Sequence, residues 1–396
     1  MRIGIDASRA NVKLRTGTEW YSYFIIREII KQNAKKDEFI LYVKEPLLPD
    51  MSDLAKQAKI RVLRWKPKFL WNLIRLSWEM LIRPPDVLFV PAHTIPIICP
   101  SRTVTTCHDI GFERFPKLYA TNMIGPRNKL AQKLFWVLAK IFTLGRYGNT
   151  ELDYHRFSMR LAIRKAVRII TPSDFTAHEI ISVFNCPSNK ISVIHHGLNE
   201  GYSRPHSAQD QEEALSRYGI VKPYILFLGR WEDKKNIGLL LKAFEELLGS
   251  NRIQLVLAGK PGWGFDRAWA SIGPKTKNMI KLCVDVQAEA PILMSGARAF
   301  VFPSAYEGFG LPIIEAMACG TPVITTRHAS IPEIAGDSAL YCDDNDPKDL
   351  AEKIGKIIQD GSFRDEYVQR GLARAKIFTW EKAGEKTLKV VSEWGA

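Results

Sequence analysis

Two doubly wound α/β domains in tandem are what this 396-residue sequence predicts, on three observations. Short apolar runs alternate with helical stretches in both halves, the rhythm of a parallel sheet wrapped by helices. That rhythm breaks once, in the polar, Pro- and Gly-punctuated segment NEGYSRPHSAQDQEEALSRYGIVKP, which places a domain boundary near residues 200–222. The chain is long enough for two or three substantial cores, with 46% hydrophobic and 25% charged residues.

The first half opens on the strand RIGIDAS, a loop, and a helix from about Glu19 through YSYFIIREII. FILYV, DVLFVPA, TVTTCHDI, VRIITPS and ISVIHHG read as further strands, with helical sequence between several of them. The second half restarts with YILFLGR and the helix NIGLLLKAFEELL, continues through IQLVLAG, AFVFPS and PVITT, and closes on helical sequence. In such sheets ligands bind beyond the carboxyl ends of the strands, here toward an expected cleft between the domains. Attention therefore falls on Asp6, His108, Ser173, Arg230, Gly259 and Glu307.

Composition narrows the class. The six cysteines (Cys99, Cys107, Cys186, Cys283, Cys319, Cys342) form no CxxC pair, so a reducing, cytoplasmic setting is expected rather than a zinc site or disulfide framework. The opening MRIGIDASRA has too short an apolar run for a signal peptide. No run approaches the ~18 apolar residues of a membrane span. The net charge of +14 is one-sided: residues 1–200 carry 31 Lys and Arg against 17 Asp and Glu, whereas residues 201–396 carry 25 of each. An anionic partner for the first domain is expected.

The stretch VFPSAYEGFGLPIIEAMACGTPVI, residues 301–324, reads as a buried strand, a glycine-broken loop and a helix. Gly308 and Gly310 let the backbone turn tightly against a ligand, and Pro312 suits the first helical turn. Free N–H groups at that helix start attract a phosphate. Two carboxylates, Glu307 and Glu315, nevertheless bracket it. They make sense if the ligand is a nucleotide sugar: diphosphate at the helix start, Glu315 accepting from ribose hydroxyls, Glu307 holding hydroxyls of the sugar. In FLGRWEDKKNIG, Arg230 and Lys235 can converge on that diphosphate, the first as a bidentate fork and the second as a point charge.

With these motifs in view, residues 224–346 resemble the nucleotide-binding half of the retaining GT-B glycosyltransferases of family GT4. Glu307 and Glu315 match that family's E-x7-E signature, Arg230 and Lys235 its basic pair, and IPEIAGDSALYCDD its Pro-Glu-Gly segment. The resemblance implies a GT-B architecture: residues 1–200 binding the acceptor, 201–376 the nucleotide sugar, and 377–396 a terminal helix packing back on the first domain. It implies donor contacts from Gly308, Phe309, Gly310 and Leu311 beside the two glutamates. VTTCHDIGFERFP looks like the family's HD segment, which would put His108 on the donor sugar and Asp109 in the shaping of its loop. RTGTEWYS resembles the family's GGxE loop, with Gly17 and Glu19 matching and Thr16 in place of the first glycine. Ser173, in RIITPSDFTAHEI, reads as a helix N-cap.

The first half departs from the family between about Phe115 and Ala162. There NKLAQKLFWVLAKIFTLGR places Lys129, Lys133 and Lys140 on one helical face and Leu130, Leu134, Val137 and Ile141 on another. RWKPKFLWNLIRLSWEML mixes Arg, Lys and Trp with aliphatics in the same way. Two such basic amphipathic elements suit either an anionic membrane surface or a packed helix with lysines outward.

Three features are decoys. YCDDND resembles a metal-binding DxD but falls in a loop after a strand, where the family carries a solvated acidic turn and generally needs no metal. HHG at 195–197 resembles the family's hinge, and GKPGWG at 259–264 lacks the P-loop lysine and hydroxyl. The expected protein is thus a metal-independent retaining hexosyltransferase. It would move mannose or glucose from a GDP- or UDP-sugar to a glycan or lipid-linked glycan of the cell surface, peripheral to the cytoplasmic face of a membrane. The resemblance implies that His108, Glu307, Arg230 and Lys235 carry the chemistry, by same-face attack without a covalent intermediate. Two competitors are a nucleic-acid-binding protein using the basic half and a catalytically silent sugar-nucleotide binder of the same fold.

Overall fold

The computed structural model of the chain describes it outside residues 34–35, 67–69, 121–122, 124, 126–127, 129–131, 134–135, 138–139, 141–144, 146–149, 204–205, 249–251 and 394–396. It divides into two compact units, Met1–His196 together with Trp380–Ala396, and Gly197–Thr379.

The first unit is built on β1 (Arg2–Asp6), β2 (Glu38–Val43), β3 (Ala58–Val62), β4 (Val87–Val90), β5 (Thr103–Thr106), β6 (Arg168–Thr171) and β7 (Ile191–Val193). These strands pair in parallel in the order β3-β2-β1-β4-β5-β6-β7. The order reverses between β1 and β4, the switch point where such sheets open a ligand crevice. Strand residues alternate between two apolar layers, so both faces are covered. Ile3, Ile5, Phe39, Leu41, Val87 and Phe89 pack on one side with Ile25, Ile26, Ile29 and Ile30 of the helix Gly17–Asn33. Ile40, Tyr42, Leu88 and Val90 pack on the other with Trp71, Leu73, Leu76 and Met80. Gly4 fits this second side because a Cβ there would come within 2.7 Å of both Pro85 and the Tyr42 ring.

The helix Trp380–Ser392 also belongs to this core. Trp380 stacks on Phe24 with ring centroids 5.1 Å apart, and Gln32 Nε2 donates to the Glu381 carbonyl at 3.0 Å.

The second unit carries β8 (Tyr224–Leu228), β9 (Gln254–Ala258), β10 (Ile280–Cys283), β11 (Ala299–Phe302), β12 (Val323–Thr325) and β13 (Ala339–Tyr341). They form a parallel sheet in the order β10-β9-β8-β11-β12-β13, reversing between β8 and β11. Its central strands are buried throughout, from Tyr224–Phe227 to Ala299–Phe302. The edge strands β3 and β10 have no counterpart among the apolar runs of the sequence. They interleave Lys59, Arg61 and Lys281 with apolar residues, as edge strands exposed to water do.

RWKPKFLWNLIRLSWEML is mostly packed in this structure. A turn of π-helix (Trp71–Leu76) runs into the helix Ser77–Ile82, burying Trp71, Leu73, Leu76 and Met80. For the longer basic segment, Lys129, Leu130, Leu134 and Ile141 lie outside the described residues. Trp136 is buried in the same cluster as Trp71, whereas Lys133, Val137 and Lys140 are exposed. Among the described residues no helix is long and apolar enough to cross a membrane.

Candidate active site

The site in the second unit is assembled from the loops that follow β8, β9, β11 and β12. After β8, Gly229 runs into Arg230 and a short 3-10 turn, Asp233–Lys235. After β9, GKPGWG lies alongside it. Trp231 N–H donates to the Lys260 carbonyl at 2.9 Å, Gly262 N–H to the Trp231 carbonyl at 2.8 Å, and Asp233 N–H to the Trp263 carbonyl at 2.9 Å. Two glycines make this approach feasible. A Cβ on Gly259 (φ 140°) would lie 1.9 Å from the Gly229 oxygen, and one on Gly264 (φ 87°) would lie 2.0 Å from the Asp233 carboxylate. GKPGWG thus holds the loop that carries Arg230 and Lys235.

The loop after β11 meets the same turn from the other side. Ala305 N–H donates to the Lys234 carbonyl at 3.0 Å, and the Lys234 ammonium sits over the Tyr306 ring, 5.3 Å from its centroid. Lys235 Nζ donates to Glu307 Oε1, and both side chains are largely shielded from water. The sequence reading sent Lys235 to the diphosphate and Glu307 to the sugar; the structure binds them to each other. Arg230 is 69% exposed, its nearest carboxylate being Glu232 at 3.8 Å. It reaches outward where Lys235 is held in.

Gly308, Phe309 and Gly310 form a buried turn into the helix Leu311–Ala318. Gly310 takes φ 100°, in the left-handed region open to glycine, and caps the helix with Pro312 in its first turn. The Phe309 ring is spent on the core, edge-on to Phe378 at 5.6 Å, and Leu311 packs against that cluster. What they offer a ligand is backbone. The turn is fixed from below by Ser330, whose hydroxyl faces the carbonyls of Glu307 and Phe309 at 2.9 and 3.0 Å. Thr326 Oγ1 donates to the Ser304 carbonyl at 2.7 Å. Neither hydroxyl was singled out in the sequence; the only signal was the polar run TTRHAS just past β12.

Glu315 lies one turn into that helix. Burial pushes its carboxyl up to about 8, and the hydrogen bond from the Tyr202 hydroxyl pulls the other way. Tyr202 itself is driven well above its ordinary value, by burial first and then by the neighbouring Glu315 charge. The carboxyl is therefore mostly protonated at neutral pH.

The acidic run after β13 is committed to local structure. Asp343 accepts from Asn345 N–H at 2.8 Å, Asp344 from His328 Nε2 at 2.5 Å, and Asp346 caps the helix Pro347–Gln359 by accepting from Lys348 N–H at 2.8 Å. Among the described residues no cluster of three or more His, Cys, Asp or Glu is grouped to hold a metal.

In the first unit, His108 follows β5 and lies edge-on to Tyr21, with centroids 4.7 Å apart. Its Nε2 is 3.1 Å from the Pro91 carbonyl. A carbonyl oxygen can only accept, so Nε2 carries the hydrogen and Nδ1 is left as the acceptor. Burial lowers the ring from its ordinary 6.5 to about 4, so it is neutral at pH 7. Asp109 Oδ1 accepts from Gly111 N–H at 2.8 Å, closing the turn after His108. His196 is buried among Tyr21, His108 and Trp380.

Gly17 begins its helix with open space where a Cβ would stand. Thr16 precedes it, its N–H donating to Glu19 Oε2 at 3.2 Å and its hydroxyl to the same oxygen, while Arg9 approaches Glu19 at 3.6 Å. Ser173 caps the helix Asp174–Phe184 by accepting from Thr176 N–H at 3.1 Å.

Against known proteins, residues 210–374 match the family model "Glycosyl transferases group 1" and residues 53–201 match "Glycosyltransferase Family 4". The chain belongs to the group 1, family 4 glycosyltransferases. The O-antigen chain mannosyltransferase B of Escherichia coli is 37% identical over 254 residues, 63% of this chain and 66% of that protein. A D-inositol 3-phosphate glycosyltransferase of Nocardioides is 27% identical over 58% of this chain and 54% of its own length. The match thus spans less than two thirds of each relative. Among solved structures, Anabaena HepE in complex with UDP and glucose superposes with a TM-score of 0.70 at 16% identity, covering 99% of this chain and 100% of that one. WaaG, a glycosyltransferase involved in lipopolysaccharide biosynthesis, gives 0.68 at 14% identity with the same coverage. These glycosyltransferases share the GT-B fold with this chain. The matches do not favour the nucleic-acid reading of its charge.

Proposed function

We propose that this glycosyltransferase moves a hexose, mannose first and glucose second, from a nucleoside diphosphate sugar to a glycan or lipid-linked glycan of the cell surface. The observation that carries the donor reading is the Lys235–Glu307 pair beside the Gly310-capped helix, with Glu315 one turn further on. The backbone of residues 308–311 and the outward Arg230 would meet the diphosphate, whose negative charge grows as the glycosidic bond breaks. Lys235 would stabilise that charge while orienting Glu307 toward the sugar hydroxyls. Glu315 and Tyr202 would receive the ribose. Charge neutralisation by Arg230, Lys235 and helix amides leaves no step that calls for a metal. Mannose is preferred because the E. coli relative at 37% identity is a mannosyltransferase.

In the first unit, neutral His108 would accept a hydrogen bond from a sugar hydroxyl at Nδ1. Retention would follow from attack on the face the diphosphate leaves.

The test is a thermal-shift panel of GDP-, UDP- and ADP-sugars without added metal, on the wild type and on Arg230→Ala and Glu315→Ala. Stabilisation by one nucleotide series, lost in both variants, supports the reading. Silence toward all donors overturns it. Turnover on a donor that does bind, with the anomeric configuration of the product read by NMR, separates an enzyme from a silent binder and retention from inversion.

A further inference from the structure

The short helix Ser77–Ile82 has two apolar faces where a surface helix needs one. Met80 and the preceding Leu76, Leu73 and Trp71 are buried in the first unit's core. Trp78, Leu81 and Ile82, at helical spacing i, i+3, i+4, point the other way and are 58%, 56% and 54% exposed. Ile98 extends the patch: its N–H donates to Ser77 Oγ at 3.1 Å, and its side chain is 42% exposed. Single exposed apolar residues are ordinary, but four grouped in one place mark an interaction surface.

The surroundings are cationic. Residues 54–85 contain eight Lys and Arg and a single acid, Glu79. Glu79 is buried, held by Arg61 at 2.7 Å and Arg75 at 3.4 Å, and so does not offset the exposed charges. Arg83 adjoins Ile82. Arg64 and Lys66, both exposed, follow Leu63, whose carbonyl accepts from the indole N–H of Trp71 in the same helical run at 2.7 Å.

We infer that this face docks the enzyme on an anionic lipid bilayer. Trp78, Leu81 and Ile82 enter the boundary between headgroups and acyl chains, and Arg64, Lys66 and Arg83 meet lipid phosphates. The partner must be apolar inside and negative at its surface. An anionic bilayer is both, nucleic acid lacks the first property, and a second copy of this face would set cations against cations. Tryptophan beside aliphatics and arginines is the composition of an interfacial helix. The inference draws on the proposed function only in expecting a lipid-borne acceptor.

The experiment is vesicle flotation of the full chain, with phosphatidylcholine alone and with phosphatidylcholine containing phosphatidylglycerol. It is run on the wild type, on Trp78→Ser/Leu81→Ser/Ile82→Ser, and on Arg64→Glu/Lys66→Glu/Arg83→Glu. The wild type is expected to float with the anionic vesicles, less so as salt is raised. Each triple variant is expected to lose about tenfold or more in partitioning. All altered residues are exposed, and an unchanged thermal unfolding profile confirms the fold without reference to donor or turnover. A wild type that stays unbound to both vesicle types overturns the inference, as does a serine variant that floats as well as the wild type. A dimer in sedimentation velocity that the serine variant abolishes, without vesicle binding, assigns the face to a second copy and equally overturns it.

Discussion

His108 and Glu315 each stand beyond the carboxyl end of a strand in a parallel sheet, and burial has moved them in opposite directions. The histidine is lowered to about 4 and the glutamate raised to about 8. Desolvation penalises whichever form is charged, so at pH 7 both are chiefly neutral, one as an acceptor imidazole and one as a protonated acid. Each unit is thereby set for its ligand in its own way. The second unit holds a charged pair, Lys235–Glu307, and keeps Glu315 uncharged one turn into the following helix. The first unit presents a neutral ring fixed by the Pro91 carbonyl, with the Arg9 charge close enough to act on it.

Breaking the charged pair should do the most damage. Lys235→Ala should lower kcat/KM by roughly 10²–10³-fold, the usual loss of one preorganised charge donor. It should also cost stability by leaving the shielded Glu307 carboxylate without its partner. Lys235→Ala/Glu307→Gln then regains stability in urea unfolding while turnover stays low. If turnover returns with stability, the lysine's role is structural. Next in size is Gly259→Ala, which drives a Cβ into the Gly229 oxygen. Unfolding should be easier by about 2–4 kcal/mol, with donor binding lost although no ligand contact is altered.

The opposed titrations give a sharper test. The unfolded chain releases the Glu315 proton near 4.5 but the native chain near 8, so this residue subtracts stability as pH rises across that window. The unfolded chain takes up the His108 proton near 6.5 but the native chain near 4, so this residue subtracts stability as pH falls across that window. In Tm against pH, Glu315→Gln should remove the loss contributed between about 4.5 and 8 and leave the slope below 4.5 alone. His108→Asn should flatten part of the acid side, to which His93 and His196, also lowered by burial, contribute as well. Equal slopes in variant and wild type would dissolve the contrast. The smallest change is Ser330→Ala, which releases two carbonyls under the Glu307 turn. A loss of about 1–2 kcal/mol and a modest rise in donor Kd, read by calorimetry, are expected.

What was legible in the sequence was what lies close along the chain. Glu307, Gly310 and Glu315 belong to one strand–turn–helix, so their spacing carries their geometry. Arg230 and Lys235 likewise flank a single turn. The illegible parts depend on distant segments meeting. Ser330 is 23 residues from the carbonyl of Glu307 that it fixes, and the Tyr202 that bonds Glu315 comes from the start of the unit. GKPGWG looked like a failed phosphate loop because its true partner, the loop after β8, is remote in sequence. The edge strands β3 and β10 escaped because an exposed strand edge mixes lysine with apolar residues and loses its hydrophobic signature. The basic stretch before Ile82 pointed to amphipathicity, but only packing decided which of its tryptophans is buried.

The return of the last helix has a consequence for how the protein comes into being. Trp380 and Val391 complete the apolar layer that Phe24, Ile25 and Ile29 begin, so the second unit is inserted within the first. During synthesis the ribosome finishes everything the second unit needs before it supplies the closing piece of the first. The domain that starts earliest is sealed last, and until then a growing chain exposes the greasy flank of Gly17–Asn33 to chaperones and proteases.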